Sequence, residues 1–371
     1  MYPRHAWVEV DAAAIARNVR ALASLTRQGT RFMAVVKADG YGHGAIPSAR
    51  AALSAGAERL GVATLAEAVA VREAGIGAPL HLLAEPPPEA AEAIVEHGLI
   101  PTVTTQAFAE SLGRVAVSLG RETVYHLKVD TGMNRIGFRA EDVAEIVGRF
   151  SRVPGIRLEG VFTHFATADT PGDWEFYRQV ERFGLALDDL RDNGVRPALV
   201  HAANSAATIL HPGTHFDMVR CGIAIYGLHP GEATRSGIAL EPAMSVKARV
   251  SLVKRIGLGD GVSYGFTWHA SGPTTIATVP LGYADGLHRV LSNRMEVLIG
   301  GRRCRQVGRI CMDQFMVEIP PGLRVNPGDE VVIAGAQGSE TILIDGLASV
   351  AGTINYEIAC GFALRLERRA V

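Results

Sequence analysis

The sequence predicts an α/β protein: an N-terminal (β/α)8 TIM-like barrel followed by a C-terminal mostly-β domain. Two observations carry that expectation. Up to about residue 230, eight short apolar, β-branched runs alternate with Ala/Glu/Arg-rich stretches of helical periodicity. Beyond that point helical patterns largely stop, and β-rich runs follow between Gly and Pro turns. Strand–helix alternation calls for a parallel sheet, and at eight repeats closure into a barrel is the natural solution. An open doubly wound sheet is the alternative, because pattern alone does not report closure.

The elements follow in order. AWVEV (6–10) alternates as a short strand, and Asp11 reads as the N-cap of a helix with Ile15, Val19, Leu22 and Leu25 on its apolar face. Barrel strands are expected near FMAVV (32–36), LGVAT (60–64), LHLLA (80–84), IPTV (100–103), VYHLKV (124–129), LEGVFTHF (158–165), ALVHAA (198–203) and FDMVRCG (216–222). LAEAVAVREAG (65–75) and DWEFYRQVERFGLALDDLRDNG (173–194) are helices between them. GYGHG (40–44) shares glycines with the dinucleotide-binding fingerprint but not its spacing. MSVKARVSLVKRI, TTIATVPLGYA, MEVLIGG, FMVEIP and GDEVVIAG supply the second domain. The boundaries are therefore drawn at 11–232 for the barrel and 233–371 for the β-rich domain, which strand 6–10 joins.

Charge narrows the function classes. Of 371 residues, 37 are Lys or Arg and 38 are Asp or Glu, a formal charge of −1. Such a balance offers no field for nucleic acid or an anionic membrane, and a small neutral or zwitterionic substrate fits better. Cys221, Cys304, Cys311 and Cys360 form no CxxC pair and lack zinc-ligand spacing, so reduced thiols and no metal are expected. The start MYPRHAWVEVD has no apolar signal core, and no window reaches the roughly 18 apolar residues of a membrane span. A cytoplasmic location is the expectation.

In barrels of this kind, functional side chains gather at the C-terminal ends of the strands. Lys37 follows the first strand in AVVKADGYGHG. A lysine there is most often a solvated end-marker; the functional reading is an amine in a partly desolvated mouth, suited to imine formation. His164 ends strand six, Asn204 and Ser205 end strand seven, and Arg220 ends strand eight. One such residue is weak evidence, but four strand ends carrying Lys, His, Asn/Ser and Arg point to a site. Gly222 and Ile223 offer backbone N–H groups to a phosphate, and Ser205 adds a hydroxyl.

AVVKADGYGHG, LKVDTGMNRIGF, THFATAD, HAANSAAT, VRCGIAIYG, GVSYGFTW, PLGYADG and VGRICMDQFMVEI resemble, in order, the signatures of bacterial alanine racemases. The resemblance runs from about residue 5 to residue 365; Gly40, where many members carry alanine, is a departure. It implies that Lys37 holds pyridoxal 5'-phosphate. Tyr41, Ser205, Gly222, Ile223 and Tyr356 match phosphate contacts, Leu83 and His164 lie by the ring, and Asn204 belongs to the same cofactor set. Arg220 matches the residue facing the pyridine nitrogen. Arg135, Met312 and Asp313 match residues around the substrate carboxylate. Lys128 matches a lysine that is N-carboxylated in some members, against the plainer alternative of a lysine paired to Asp130. The family solution is a head-to-tail homodimer in which one subunit's β domain brings Tyr264 and Met312 to the other's barrel.

The chemistry explains those residue types. No side chain removes the Cα proton of an amino acid unaided, so the cofactor supplies the electron sink. Racemisation needs a proton donor on each face, and the resemblance nominates Lys37 for D-alanine and Tyr264 for L-alanine. A phenol is a poor base at neutral pH unless a cation lies nearby, a part for Arg220 or a protonated His164. Arginine does not accept the pyridine proton, which disfavours transamination. The implied activity is an isomerase supplying D-alanine for peptidoglycan. Its rivals are a pyridoxal-phosphate decarboxylase of basic amino acids, which would place a carboxylate where Arg220 stands, and a non-catalytic pyridoxal-phosphate carrier, which would lack the second domain.

Overall fold

In the computed structural model, which describes residues 5–371, eight parallel strands close into a barrel. Residues 1–4 of the N-terminal run considered above lie outside the described part. The barrel strands are β1 (Arg31–Val35), β2 (Arg59–Val62), β3 (Leu80–Leu82), β4 (Ile100–Val103), β5 (Thr123–Asp130), β6 (Ile156–Phe162), β7 (Leu199–His201) and β8 (Met218–Cys221). Each pairs with its neighbour in chain order, and β8 returns to β1 with Met218 opposite Arg31. The open sheet is thereby excluded: β4 and β5 also pair, so no edge is left. Residues of β2, β3, β4 and β8 are buried throughout, as strands covered on both faces must be.

Helices start where the sequence supplies caps. Thr64 and Glu67 form a capping box on helix Leu65–Glu73, and the Asp173 carboxylate accepts from the backbone N–H groups of Glu175 and Phe176 to open Trp174–Asp192. The Asp11 carboxylate likewise accepts from Ala14 N at 2.8 Å.

The chain divides into two compact units, Ile15–Gly40 with Ala45–Glu241, and Met1–Ala14 with Tyr41–Gly44 and Pro242–Val371. Residues 233–241 stay with the barrel unit because Asn18 clasps Glu241 through both backbone groups, at 2.8 and 2.9 Å. Tyr41–Gly44 clusters with the β unit for a steric reason. A β-carbon on Gly42 would lie 2.3 Å from the Ala359 carbonyl oxygen, and Arg368 Nε donates to Gly42 O at 3.1 Å.

The second unit holds a ten-stranded sheet. Ala6–Val10 lies within it, antiparallel to Met244–Arg249 and parallel to Glu367–Ala370. Val262, Ile276 and Val307 form a core on which Ile256, Trp268 and Met316 pack. Strands Arg302–Val307, Glu340–Ile342 and Glu367–Ala370 have no counterpart in the apolar-run reading, since their outward residues are mostly Arg and Glu. Helices Ile344–Ala351 and Asn355–Gly361 also interrupt the expected run of strands.

Candidate active site

Lys37, half-buried, opens a turn of left-handed backbone just past β1. Ala38 (φ 52), Asp39 (φ 50), Gly40 (φ 62) and Tyr41 (φ 52) follow one another in that region. Each non-glycine residue there costs about 1–2 kcal/mol, so the turn must be held. Glu67 holds it: Oε1 accepts from Ala38 N at 2.7 Å, and Oε2 accepts from Ala63 N at 2.8 Å and Thr64 N at 3.1 Å. Asp39 Oδ1 accepts from Ala45 N at 2.8 Å. Gly40 is a tight position, since a β-carbon there would meet Ser48 Oγ at 2.9 Å. One carboxylate thus ties the lysine's turn to the end of β2, a role the sequence reading did not find.

Arg220, at the opposite side of the β1–β8 seam, is buried inside the barrel. Its Nη2 donates to the carbonyls of Thr163 (2.9 Å) and Ala202 (3.0 Å) and to His164 Nδ1 (3.1 Å), while Nη1 donates to His201 Nδ1 (3.0 Å). Among the described residues no carboxylate accepts from it. Burial pushes the guanidinium down to about 9, which leaves it charged at neutral pH. Of the two cations the sequence offered for tuning the tyrosine, Arg220 or a protonated His164, the interior disfavours the second. Burial, then the charges of Arg220 and Lys128, hold His164 well below its ordinary value, so it is neutral.

Deeper in the barrel lies a polar cluster that the sequence reading missed. Arg59 binds Glu159 through two parallel bonds of 2.9 and 3.0 Å and donates to His81 Nε2 at 3.1 Å. Glu159 also meets His126 Nε2 at 2.8 Å, and His126 Nδ1 meets His201 Nε2 at 2.7 Å. Residues of β2, β3, β5, β6, β7 and β8 can touch one another this way only across the interior. The signal was present as ionisable residues inside apolar runs, which must find partners once buried. His81, His126 and Glu159 bring ligand-type atoms within 4.8 Å of one another. The Arg59 guanidinium already occupies two of the three, so the cluster is a hydrogen-bond network and not a cation site.

The other barrel candidates sit at the strand ends. Ser205 Oγ accepts from Gly222 N at 3.0 Å, joining the ends of β7 and β8, and Ile223 follows directly. Asn204 spends its side chain on capping: Oδ1 accepts from Ala207 N (3.0 Å) and Nδ2 donates to Phe165 O (3.3 Å). Leu83 follows β3 and packs where Gly61 lacks a side chain, Cδ1 lying 3.0 Å from the position of a β-carbon. Lys128 is buried with its Nζ 4.7 Å over the Phe162 ring. No bond joins it to Asp130, whose Oδ1 instead accepts from Gly132 N (2.9 Å) and Asn134 N (3.0 Å). Burial and the charges of Arg220 and Arg135 push the Lys128 amine well below its ordinary value. Arg135 is exposed and lines a cleft of about 830 Å³ with Asp130, Asn134 and Arg182.

In the second unit, Tyr264 is 72% exposed on a turn entered through Ser263 at φ 65. It lines a cleft of about 690 Å³ with Phe266, Met312 and Asp313. Phe266 and Met312 are 62% and 54% exposed. The Met312 segment is pinned from behind: Ala284 N donates to Met312 O at 3.0 Å, and Gly282 is glycine because a β-carbon would lie 2.3 Å from that oxygen. Arg365 bridges Asp313 (2.8 Å) and the buried Asp285 (3.1 Å). Tyr41 and Tyr356 rings lie 6.1 Å apart.

The barrel donor set suits a phosphorylated aldehyde cofactor. Lys37 would hold the aldehyde carbon, Ser205 and the backbone just past β8 at Gly222 and Ile223 the phosphate, and Arg220 the ring nitrogen. Comparison with known proteins agrees in class. Residues 10–230 match the family model described as alanine racemase, N-terminal domain, and residues 243–370 match alanine racemase, C-terminal domain. The alanine racemase of Symbiobacterium thermophilum is 48% identical over 365 residues, 98% of this chain and 97% of that one. The structure of the Bacillus anthracis alanine racemase with bound L-Ala-P superposes with a TM-score of 0.94 at 40% identity, covering 100% of this chain and 96% of that one. A histidine racemase from Leuconostoc mesenteroides reaches 0.92 at 30% identity, with 100% and 99% covered. The fold and these likenesses define an amino-acid racemase of the barrel-plus-β type, an isomerase. The chain belongs to the alanine racemase family.

Proposed function

We propose that the chain interconverts L-alanine and D-alanine by a two-base, pyridoxal 5'-phosphate-dependent reaction, supplying D-alanine for peptidoglycan. When bound, the cofactor supplies the electron sink that makes the Cα proton removable. Lys37 would hold it through its amine, Ser205 and the Gly222 and Ile223 amides would hold its phosphate with Tyr41 and Tyr356, and Leu83 and His164 would lie by its ring. The Lys37 amine takes or returns the Cα proton on one face, and the Tyr264 hydroxyl serves the other. Arg135, Met312 and Asp313 orient the substrate carboxylate. Asn204 acts indirectly, by fixing the start of the helix that carries Ser205.

Tyr264 reaches a barrel site through a second copy of the chain. The solvent-facing Tyr264, Phe266 and Met312 form the kind of apolar patch that a partner covers, and a two-fold homodimer would present each patch to the other copy. None of the described helices is long and apolar enough to cross a membrane.

The observation that carries this reading is Arg220: a buried guanidinium with no carboxylate acceptor among the described residues, where a decarboxylase of this fold would need an acidic group. An arginine has no site to take up the ring proton and so favours return of the Cα proton to carbon. The test is L-alanine in heavy water with cofactor-loaded protein. The expected result is deuterium at Cα with loss of optical activity, abolished by Lys37→Ala and strongly reduced by Tyr264→Phe. Unchanged exchange in the Tyr264→Phe protein would remove the two-base assignment.

A further inference from the structure

The polar chain beneath Arg220 has a direction that its donors dictate. A guanidinium carries N–H donors and no acceptor. The 3.0 Å contact from Arg220 Nη1 therefore makes His201 Nδ1 an acceptor and puts the proton of that ring on Nε2. That proton faces His126 Nδ1 at 2.7 Å, which must accept it, so His126 in turn carries its proton on Nε2. It donates this proton to Glu159 Oε2 at 2.8 Å. All three bonds run the same way, from Arg220 to Glu159, and neither ring has a choice of tautomer. Burial lowers both histidines from their ordinary values, as neutral rings require, although Glu159 partly opposes this at His126.

The chain is also sterically built. A β-carbon at residue 160 would lie 2.5 Å from His126 Cε1, so glycine at that position makes room for the ring. Phe162 stacks on His201 at 4.7 Å with planes 4° apart and fixes its orientation. A carboxylate in contact with Arg220 would cancel its field at the ring nitrogen. Two imidazoles away, and with its own charge offset by Arg59, Glu159 polarises the chain without that cancellation.

We propose that His201, His126 and Glu159 are positioning residues for Arg220, holding its guanidinium charged and aimed at the cofactor's ring nitrogen. The inference rests on the reading that Arg220 faces that nitrogen. Its consequence is a low rate of side transamination. In that reaction alanine and the pyridoxal cofactor become pyruvate and the pyridoxamine form, the amine and two electrons passing to the cofactor.

The readout is the number of transamination events per racemisation event in the loaded enzyme, which does not depend on how much protein is folded. Arg220→Glu is the reference. Glu159→Gln removes the charge and keeps the shape; His126→Phe cuts the path and leaves the Glu159–Arg59 pair. With cooperative strengthening of roughly a tenth to a third per bond, each should raise the ratio about two- to tenfold, with little change in KM for alanine. A merely structural role would lower thermal stability and leave the ratio alone. If Arg220→Glu raises the ratio and neither other variant does, the inference is overturned and the placement of Arg220 stands. If Arg220→Glu leaves it unchanged, the placement itself is wrong. Nitrogen-15 spectra of the histidine-labelled holoenzyme provide an independent check. Protonation at Nε2 of both His126 and His201 is expected, and a proton on Nδ1 of either ring overturns the inference.

Discussion

Arg59→Met isolates the energetics of the barrel interior. The Arg59 and Glu159 side chains are 8% and 18% exposed and share two parallel bonds. Removing the guanidinium leaves a mostly buried carboxylate with His126 as its remaining donor, a loss of about 3–5 kcal/mol. For a unit of this size each kcal/mol moves the midpoint by about 2–4 °C, so unfolding should fall by about 6–20 °C. Thermal unfolding followed by circular dichroism at neutral pH measures it. The double variant Arg59→Met/Glu159→Leu should recover most of the loss, because apolar side chains replace the pair without leaving a charge. The pH dependence follows from Glu159. Burial pushes its carboxyl up, but the bonds from His126 and Arg59 outweigh that and hold it well below the usual carboxylate range. A depressed folded value means the stabilisation is fully present above the ordinary glutamate range and is lost as pH falls through the folded value. The gap between wild type and Arg59→Met should therefore narrow in acid. A midpoint within about 2 °C of wild type at neutral pH, or additive effects in the cycle, would refute the argument.

Three further outcomes are expected. Burial, then the charges of Arg220 and Arg135, push the Lys128 amine well below its ordinary value, and the same two cations favour an anion at its end. It should add CO2, forming an N–C bond and releasing a proton, so intact mass should rise by one CO2 per chain in bicarbonate and not in Lys128→Met. Glu67→Ala should keep the Thr64 cap but lose the carboxylate half of the capping box and the bonds to Ala38 and Ala63, and so weaken cofactor binding at Lys37 because the left-handed turn loses its clamp; equal cofactor affinity by fluorescence titration would contradict this. Burial pushes the Cys221 thiol up to about 12 and Cys304 up to about 11, so iodoacetamide should leave both unmodified in native protein and label both after denaturation.

Eight barrel strands were legible because each is a short apolar run between helical segments, and backbone propensity with burial on both faces suffices to specify that pattern. The strand-end residues Lys37, His164, Ser205 and Arg220 were legible by position, since a parallel barrel puts all its C-terminal ends at one mouth. Arg302–Val307 was not, because a strand with one solvent-facing side can be arginine-rich as long as Cys304 and Gln306 point inward. Nor did local sequence reveal the partners of Arg59, His81, His126, Glu159 and His201. Their spacing along the chain is set by helix lengths, and only closure of the barrel brings them within hydrogen-bond distance. The protonation of His164 was likewise decided by tertiary structure, because desolvation and neighbouring cations are properties of the assembled interior. What the sequence by itself determined is which residues are available to react; closure of the barrel decided their charge, tautomer and aim.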